Sequence, residues 1–283
     1  LASNQTQERS IVKIQQELIM KIQRVRKLDV LVCLVVIFSI IIPMAWAAEF
    51  TDGLVVYLPF DEGKGGTTKD ASGNKNNGKL EGKIEWANGK FGKALQFNGE
   101  ASASWVMVKS NKQLNVDSFT FMAWVNFENW DGVKQVVGKS VHGGCSGRGQ
   151  YGIFSEGGSL KLRMETEAGR IDITAKSPET KKWVHIACTN NGKEGIIFVD
   201  GKEAGKGKTP GKLKVNDDPW AIGQDCERLN YIPTGLIDEA RLWNRVLSEK
   251  EIGDYMKMGA KEALAVNPQA RLPVAWSRVK TEY

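Results

Sequence analysis

The sequence predicts an all-β protein, an antiparallel two-sheet jelly-roll sandwich with one short C-terminal helix. Three observations lead there. Short apolar stretches alternate with polar turn clusters, and glycine supplies 30 of the 283 residues, the composition of many strands joined by tight turns. The turn dipeptides Asn98-Gly99, Ala168-Gly169 and Asp200-Gly201 fall between strand-like runs. A single helix-start signature follows Ser248, and without helices alternating with the strands a parallel α/β fold is excluded.

Taken in order, GLVVYLPF (residues 53–60) is an apolar strand handing over to a loop, DEGKGGTTKDASGNKNNG, rich in Gly, Asn and Asp. KALQF (93–97) and SWVMV (104–108) flank Asn98-Gly99, a hairpin signal. SFTFMAWVNF (118–127) is apolar on both faces, as a central strand covered on each side must be. In SLKLRMET, Leu160, Leu162 and Met164 point one way while Lys161, Arg163 and Glu165 point the other. That strand and RIDITA form a hairpin about Ala168-Gly169, and WVHIACTN pairs with GIIFVDGKEAG. After a strand over 236–243, Ser248 and Glu251 make an S-x-x-E capping box, so a helix starts there and stops near Gly259.

The N-terminal segment has a different character. Leu1 reads as a non-standard start or a fragment, and the first methionine is Met20. Basic KIQRVRK, the apolar run VLVCLVVIFSIIIPM and Ala45-Trp46-Ala47 then follow in the order of a secretion signal, with cleavage expected before Ala48. The apolar run is shorter than the roughly 18 to 20 residues of a spanning helix, and Pro43 interrupts its end, so no membrane insertion is expected after cleavage. The expected organisation is 1–47 extension and signal peptide, 48–259 one β domain, and 260–283 a tail. Without residues 1–47, basic and acidic residues fall from 39 against 33 to 33 against 30. Scattered lysines on a nearly neutral chain argue against a nucleic-acid partner, which needs a concentrated basic face.

The blocks GLVVYLPFDEG, GKFGKALQFNG, FTFMAWVNF, KKWVHIACTNNGKEGIIFVDGK and GLIDEARLWNRVLSEKEI, in this order, resemble the laminin-G-like jelly-roll domains of the concanavalin A-like lectin and glucanase superfamily. The resemblance spans roughly 53–259. It implies two antiparallel sheets, one of them concave, with ligand loops along the concave side or its rim, in a secreted part that binds glycans, often with calcium. Where relatives carry F-D-G this chain has Asn98, and Ser104-Trp105 replaces the Asp-Tyr pair that follows, which weakens a calcium inference from that loop.

Glucanases of this superfamily carry E-x-D-x-E on one strand, because residues two apart share a face and a retaining glycosidase needs its carboxyls about 5 to 5.5 Å apart. Asp238 and Glu239 are neighbours, so a regular strand sends them to opposite faces, Asp238 with Leu236 and Ala240, Glu239 with Ile237 and Arg241. Neither has a second acid, and Glu239 beside Arg241 reads as a charge pair. Glu165 and Glu167 share a face but end at a turn, with Gly169 where a third acid belongs, and read as a solvated strand end. His142 and His185 form no metal-ligand spacing, and His185 reads as a packed strand residue. No catalytic residue is expected.

The expected ligand site is a loop cluster of Trp130, Tyr151, Arg163, Asn230 and Tyr231, aromatic platforms beside polar groups, for a glycan or a glycosylated cell-surface partner. A protein-interaction module without a sugar site is the rival reading, and a polysaccharide-cleaving enzyme the third. Calcium is the structural cofactor the resemblance suggests, on Asp238 and Asp61 with carbonyls near Gly99; a hydrogen-bond network around Asp238 is the alternative. Export leaves Cys145, Cys188 and Cys226 where disulfides form; Cys188 lies in an apolar strand, so the expected bond joins Cys145 and Cys226.

Overall fold

The computed structural model describes residues 50–139, 150–224 and 231–265. The signal segment, His142, Cys145, Cys226 and Asn230 lie outside the described residues. The described strands, in chain order, are β1 (Leu54–Leu58), β2 (Thr67–Thr68), β3 (Gly78–Glu81), β4 (Glu85–Asn88), β5 (Lys93–Asn98), β6 (Trp105–Val108), β7 (Phe119–Phe127) and β8 (Lys134–Lys139). They continue as β9 (Tyr151–Glu156), β10 (Ser159–Thr166), β11 (Gly169–Lys176), β12 (Val184–Asn190), β13 (Glu194–Val199), β14 (Lys202–Lys208), β15 (Trp220–Ile222) and β16 (Thr234–Trp243). Two short helices follow, α1 (Glu249–Tyr255) and α2 (Ala260–Ala265).

The strands make two antiparallel sheets, as the alternating pattern requires. The first runs β14-β13-β12-β7-β16-β5-β4, with β1 also paired to β16; the second runs β11-β10-β9-β8-β15-β6-β3-β2. Their inner faces meet in one core that includes Leu95, Phe97, Val106, Phe121, Ile153, Leu162, Ile186, Trp220 and Leu242. Leu160, Leu162 and Met164 all face it, as the alternation in β10 predicts. Each such large side chain contributes about 1.5 to 3 kcal/mol by leaving water.

The first sheet is covered on its outer side too. Phe50, Leu54, Tyr57, Met122, Trp243, Ile252, Tyr255 and Ala263 form a second apolar cluster between that sheet and the helices. This explains why β7 reads as apolar on both faces: it lies between β12 and β16 in a sheet with two covered sides. Ser248 caps α1 through a capping box with Glu251, as its spacing predicts. The expectation of one helix and a tail from 260 needs correction, since α2 resumes after Gly259 and buries Ala260 and Ala263 in the outer cluster.

The Asp200-Gly201 turn joins β13 to β14, with both residues at positive φ (50° and 77°) as a tight hairpin turn of this kind requires. Asn98-Gly99 does something else. β5 belongs to the first sheet and β6 to the second, so this connection crosses the sandwich, redirected by Gly99 (φ 69°) and a 3-10 turn over Glu100–Ser102. The polar loop after β1 is built around Asp70, whose carboxylate accepts from the Tyr57, Ser72 and Asn76 backbone N–H groups and the Ser72 hydroxyl. Asn76, 5% exposed, donates to the Val55 carbonyl. Among the described residues no helix is long and apolar enough to cross a membrane.

Candidate functional site

The acids of β16 sit on an irregular strand. β16 pairs with β5 up to Ile237 and with β1 from Ala240, and between Asp238 and Arg241 its register on β7 slips. Glu239 takes φ 56°, a left-handed conformation uncommon for a non-glycine residue and typical of a bulge. The bulge overturns the face assignment made from regular alternation. Asp238 faces outward beside Trp124, Ala240 faces the inner core, and Glu239 joins Tyr57 and Arg241 on the outer side.

Both acids are shut away, Asp238 at 0% and Glu239 at 2% exposure. The Tyr57 hydroxyl donates to Glu239 Oε2 (2.6 Å), and Arg241 forms an ion pair with the same oxygen, the charge pair that the sequence suggests. Arg241 also donates from Nη1 to the Tyr255 carbonyl (2.7 Å) and from Nη2 to the Met258 carbonyl, and its guanidinium lies 4.5 Å from the Tyr57 ring centroid. One buried cation thus ties β1, the bulge and the end of α1 together. Nearby His185 is a packed residue, edge-on to Trp124 at 5.3 Å, with burial and then the Arg241 charge pulling its imidazole down to about 3.

Asp61 does approach this region, because β1 pairs with β16. Its Oδ1 accepts from the Lys93 N–H (2.9 Å), while Asp238 Oδ2 accepts from the Phe91 N–H (3.0 Å). The two carboxylates therefore grip one turn through its backbone donors, where a calcium ion needs converging oxygen acceptors. Gly99 lies at the far end of β5 from Asp238, and its carbonyl accepts from Ser102. Among the described residues no three His, Cys, Asp or Glu side chains converge as a metal site. Asp61 and Asp238 each have an oxygen engaged by the amides of Lys93 and Phe91 respectively, and a chelator is expected to leave the melting temperature of the native protein unchanged. A drop that Asp238→Asn abolishes would restore the metal.

Burial, and then the Glu239 charge, push the Asp238 carboxyl up to about 8 against the pull of the amides of Phe91, Lys90 and Glu239. The folded protein then keeps a proton that the unfolded chain releases near pH 4. Stability is expected to fall as pH rises through the window from about 4 to about 8, because the native state binds the extra proton there. Urea titrations at about pH 5 and about pH 9 should show that slope in the native protein and a flatter one in Asp238→Asn. Equal slopes would contradict the assignment.

The expected aromatic cluster is not assembled. Trp130 and Tyr151 are core residues, 6% and 2% exposed. Tyr151 stacks on Phe119 (4.7 Å) and Trp130 packs on Phe127 (4.8 Å), at opposite ends of β7. Nine residues of strand separate the two by roughly 26 Å. Rings so buried have no face left for a sugar. Tyr231 is half-buried at the Trp130 end, just before β16. Cys188 is buried and free in β12.

Arg163 does face outward, on the second sheet. It forms a bidentate pair with Asp172 (both contacts 2.6 Å), reaches Glu156 Oε2 (3.3 Å), and lies 4.7 Å from the Phe154 ring centroid. Burial opposes the charge on Asp172, yet the Arg163 hydrogen bonds and charge outweigh it and hold that carboxyl below the ordinary range. Glu165, read from sequence as solvated, is 7% exposed and paired with Arg170 (2.6 Å).

From Arg163 a single row of cross-strand neighbours crosses the outward face. Asp172, Arg163, Gly152, Gly138, Ala221, Met107, Lys79 and Thr67 follow one another across all eight strands of the second sheet. The row is ionic at the β11 end and small-sided in the middle, where Gly152, Gly138 and Ala221 are buried. It meets solvent at the β6–β3 end, where Met107 is half-buried and Lys79 exposed. Trp105, also half-buried, shares this face with Met107, since alternate residues of β6 point the same way. Beside Met107 a cleft of about 460 Å³ opens between the β6–β7 connection and the segment before β15, lined by Pro219, Lys109, Lys112, Asn115 and Asp217 among others. Sequence reasoning missed Trp105; the available signal was the alternation in SWVMV, which puts Val106 and Val108 inside and Trp105 and Met107 outside.

Residues 99–253 match a laminin-G family model described as the concanavalin A-like lectin/glucanases superfamily. No curated protein matches the sequence. Among solved structures, the binding domain of Paraclostridial mosquitocidal protein 1 is similar with a TM-score of 0.60 and 20% identity, over 73% of this chain and 52% of that one. Domain 4 of AbnA, a GH43 extracellular arabinanase from Geobacillus stearothermophilus, in complex with arabinotriose, gives 0.56 and 20%, over 71% of this chain and 97% of that domain. The binding domain of botulinum neurotoxin DC, in complex with SialylT, gives 0.57 and 18%, over 74% and 52%. The chain spans about half the length of these toxin binding domains. At such identities the likeness is one of fold, two antiparallel sheets in a sandwich.

Proposed function

The chain belongs to the laminin-G group of the concanavalin A-like lectin/glucanase superfamily, and from that premise we propose that it is a secreted, non-catalytic module that binds glycans or glycosylated surface partners. The observation that carries this reading is the exposed end of the outward face, where Trp105 and Met107 offer apolar surface beside an open polar cleft. An aromatic platform next to a few polar groups is what ring-stacked sugars require. The neighbours support it: one was solved with arabinotriose, one with SialylT. The order of basic, apolar and A-x-A segments before Ala48 supports export.

Against catalysis stand the carboxylates themselves. Asp238 and Glu239 share a side of β16 but are sealed from solvent, and Glu239 is neutralised by Arg241. Asp172 and Glu165 are each paired with an arginine. Retaining cleavage needs two carboxyls facing one bound sugar, and these four do not offer that. The test is to incubate the secreted chain with arabinan, β-glucans and sialylated glycans, then measure retention and new reducing ends together. Retention without reducing ends is expected. Release of reducing ends that Arg- or acid-directed variants abolish would make the protein an enzyme, and retention of none of them would favour a protein-interaction module.

A further inference from the structure

We infer that the cleft beside Met107 selects acidic saccharides, those carrying a carboxylate or sulfate, through Lys109 and Lys112. This rests on the glycan-binding reading above and names the ligand class. The cleft's volume of about 460 Å³ is that of a small-ligand pocket. Met107 and Pro219 give it apolar wall, and Lys109 and Lys112 stand exposed at it. Among the described residues no carboxylate lies within ion-pair distance of either ammonium. Some cations elsewhere on the domain, among them Arg163, Lys161, Arg170, Arg241 and Lys250, have acidic partners, whereas these two ammoniums share one concave lining. Two unanswered ammoniums at one concavity suit an anion delivered by a ligand.

Two further features make the cleft a built site. Asn115 Oδ1 is enclosed and has no hydrogen-bond donor among the described residues, and an enclosed acceptor of this kind is stabilised by a donor such as a sugar hydroxyl. Both walls are also pinned. Asn111 caps the 3-10 turn over Lys112–Leu114, accepting from the Gln113 N–H (2.9 Å), and donates to Asn76 (2.7 Å). Opposite, the buried Lys139 holds the segment that carries Asp217, donating to the Asn216 carbonyl and side chain (both 2.7 Å) and to the Asp218 carbonyl (3.0 Å). Asp217, exposed across the cleft from the lysines, offers an acceptor pair for neighbouring hydroxyls and repels an acid placed on its own side. That polarity orients an acidic sugar with its charge toward Lys109 and Lys112. The cleft continues the face that bears Trp105, so one oligosaccharide can stack on the indole and place an acid in the cleft.

The experiment is calorimetric titration of the secreted chain and of the Lys109→Ala/Lys112→Ala variant with tetragalacturonate, a heparin-derived tetrasaccharide and maltotetraose, at low and high salt. The lysines are exposed, so the variant is expected to keep the native melting temperature. The native chain should bind at least one acidic probe about tenfold or more tighter than maltotetraose, as charge-assisted contacts allow, and lose that advantage in high salt. The variant should lose it at any salt. Whether tetragalacturonate or the heparin fragment binds tells carboxylate from sulfate. Equal affinity for acidic and neutral probes, or an unchanged variant, overturns this inference while leaving glycan binding in place. If the native chain binds none of these probes and retains no glycan in the incubation above, both readings fall together.

Discussion

Replacing Arg241 with methionine is expected to destabilise the domain by about 3 to 5 kcal/mol, the usual result of removing one partner from a buried ion pair. For a domain of this size that lowers the melting temperature by roughly 10 °C. The reason is the number of groups left without a partner. Glu239 would keep its place at 2% exposure without its cation, the Met258 carbonyl would lose its guanidinium donor, and the Tyr255 carbonyl would keep only the Met258 N–H. The loss should be localised as well as large. Hydrogen exchange in the variant should accelerate in α1 and β1 before the second sheet, since Arg241 joins only the former to β16. A variant within 1 kcal/mol of the native protein would mean that the pair behaves as a surface contact, contrary to its burial.

Tyr151→Ala is expected to lose about 3 to 5 kcal/mol, as large aromatic truncations in a core do. Its ring stacks on Phe119, its hydroxyl reaches the Leu114 carbonyl (3.4 Å), and burial pushes its phenol far above the ordinary range. At 2% exposure it offers no surface to a ligand, so any loss of ligand binding should track the loss of folded protein. Urea unfolding followed by far-UV circular dichroism checks this directly. A Tyr151→Ala protein with native stability but no glycan binding would return the ring to the ligand site.

These two residues also mark how far sequence reasoning reaches. The alternation in β10, the doubly apolar β7 and the capping box at Ser248 are local patterns, and the structure repeats each of them. Trp130 and Tyr151 stand next to glycine and charge, so composition placed them in loops. Only the packing of β7, set by strands distant in sequence, puts both rings in the core. Asn98-Gly99 is a hairpin dipeptide by any local rule, yet the chain there changes sheets, because β5 finds β16 and β6 finds β15. The bulge at Glu239 is the hardest case. A strand's faces follow from counting by two only while the register holds, and one left-handed residue moved Asp238 and Glu239 to the same side. The cleft was invisible for a related reason: Lys109, Lys112 and Asp217 meet only after β6 pairs with β15.

The claim that the protein is a glycan-binding module with its contact face at β6 is tested most directly by one comparison, a glycan array probed with the secreted native chain and with Trp105→Ala at equal concentrations. The half-buried, outward-facing indole is expected to contribute about 1 to 3 kcal/mol to a stacked sugar, in line with aromatic stacking elsewhere, and little to the core. The native chain should therefore bind a restricted set of glycans and Trp105→Ala should lose that set by about tenfold or more while melting at nearly the native temperature. An array on which the native chain binds nothing, or on which Trp105→Ala binds the same glycans as strongly, would contradict the account.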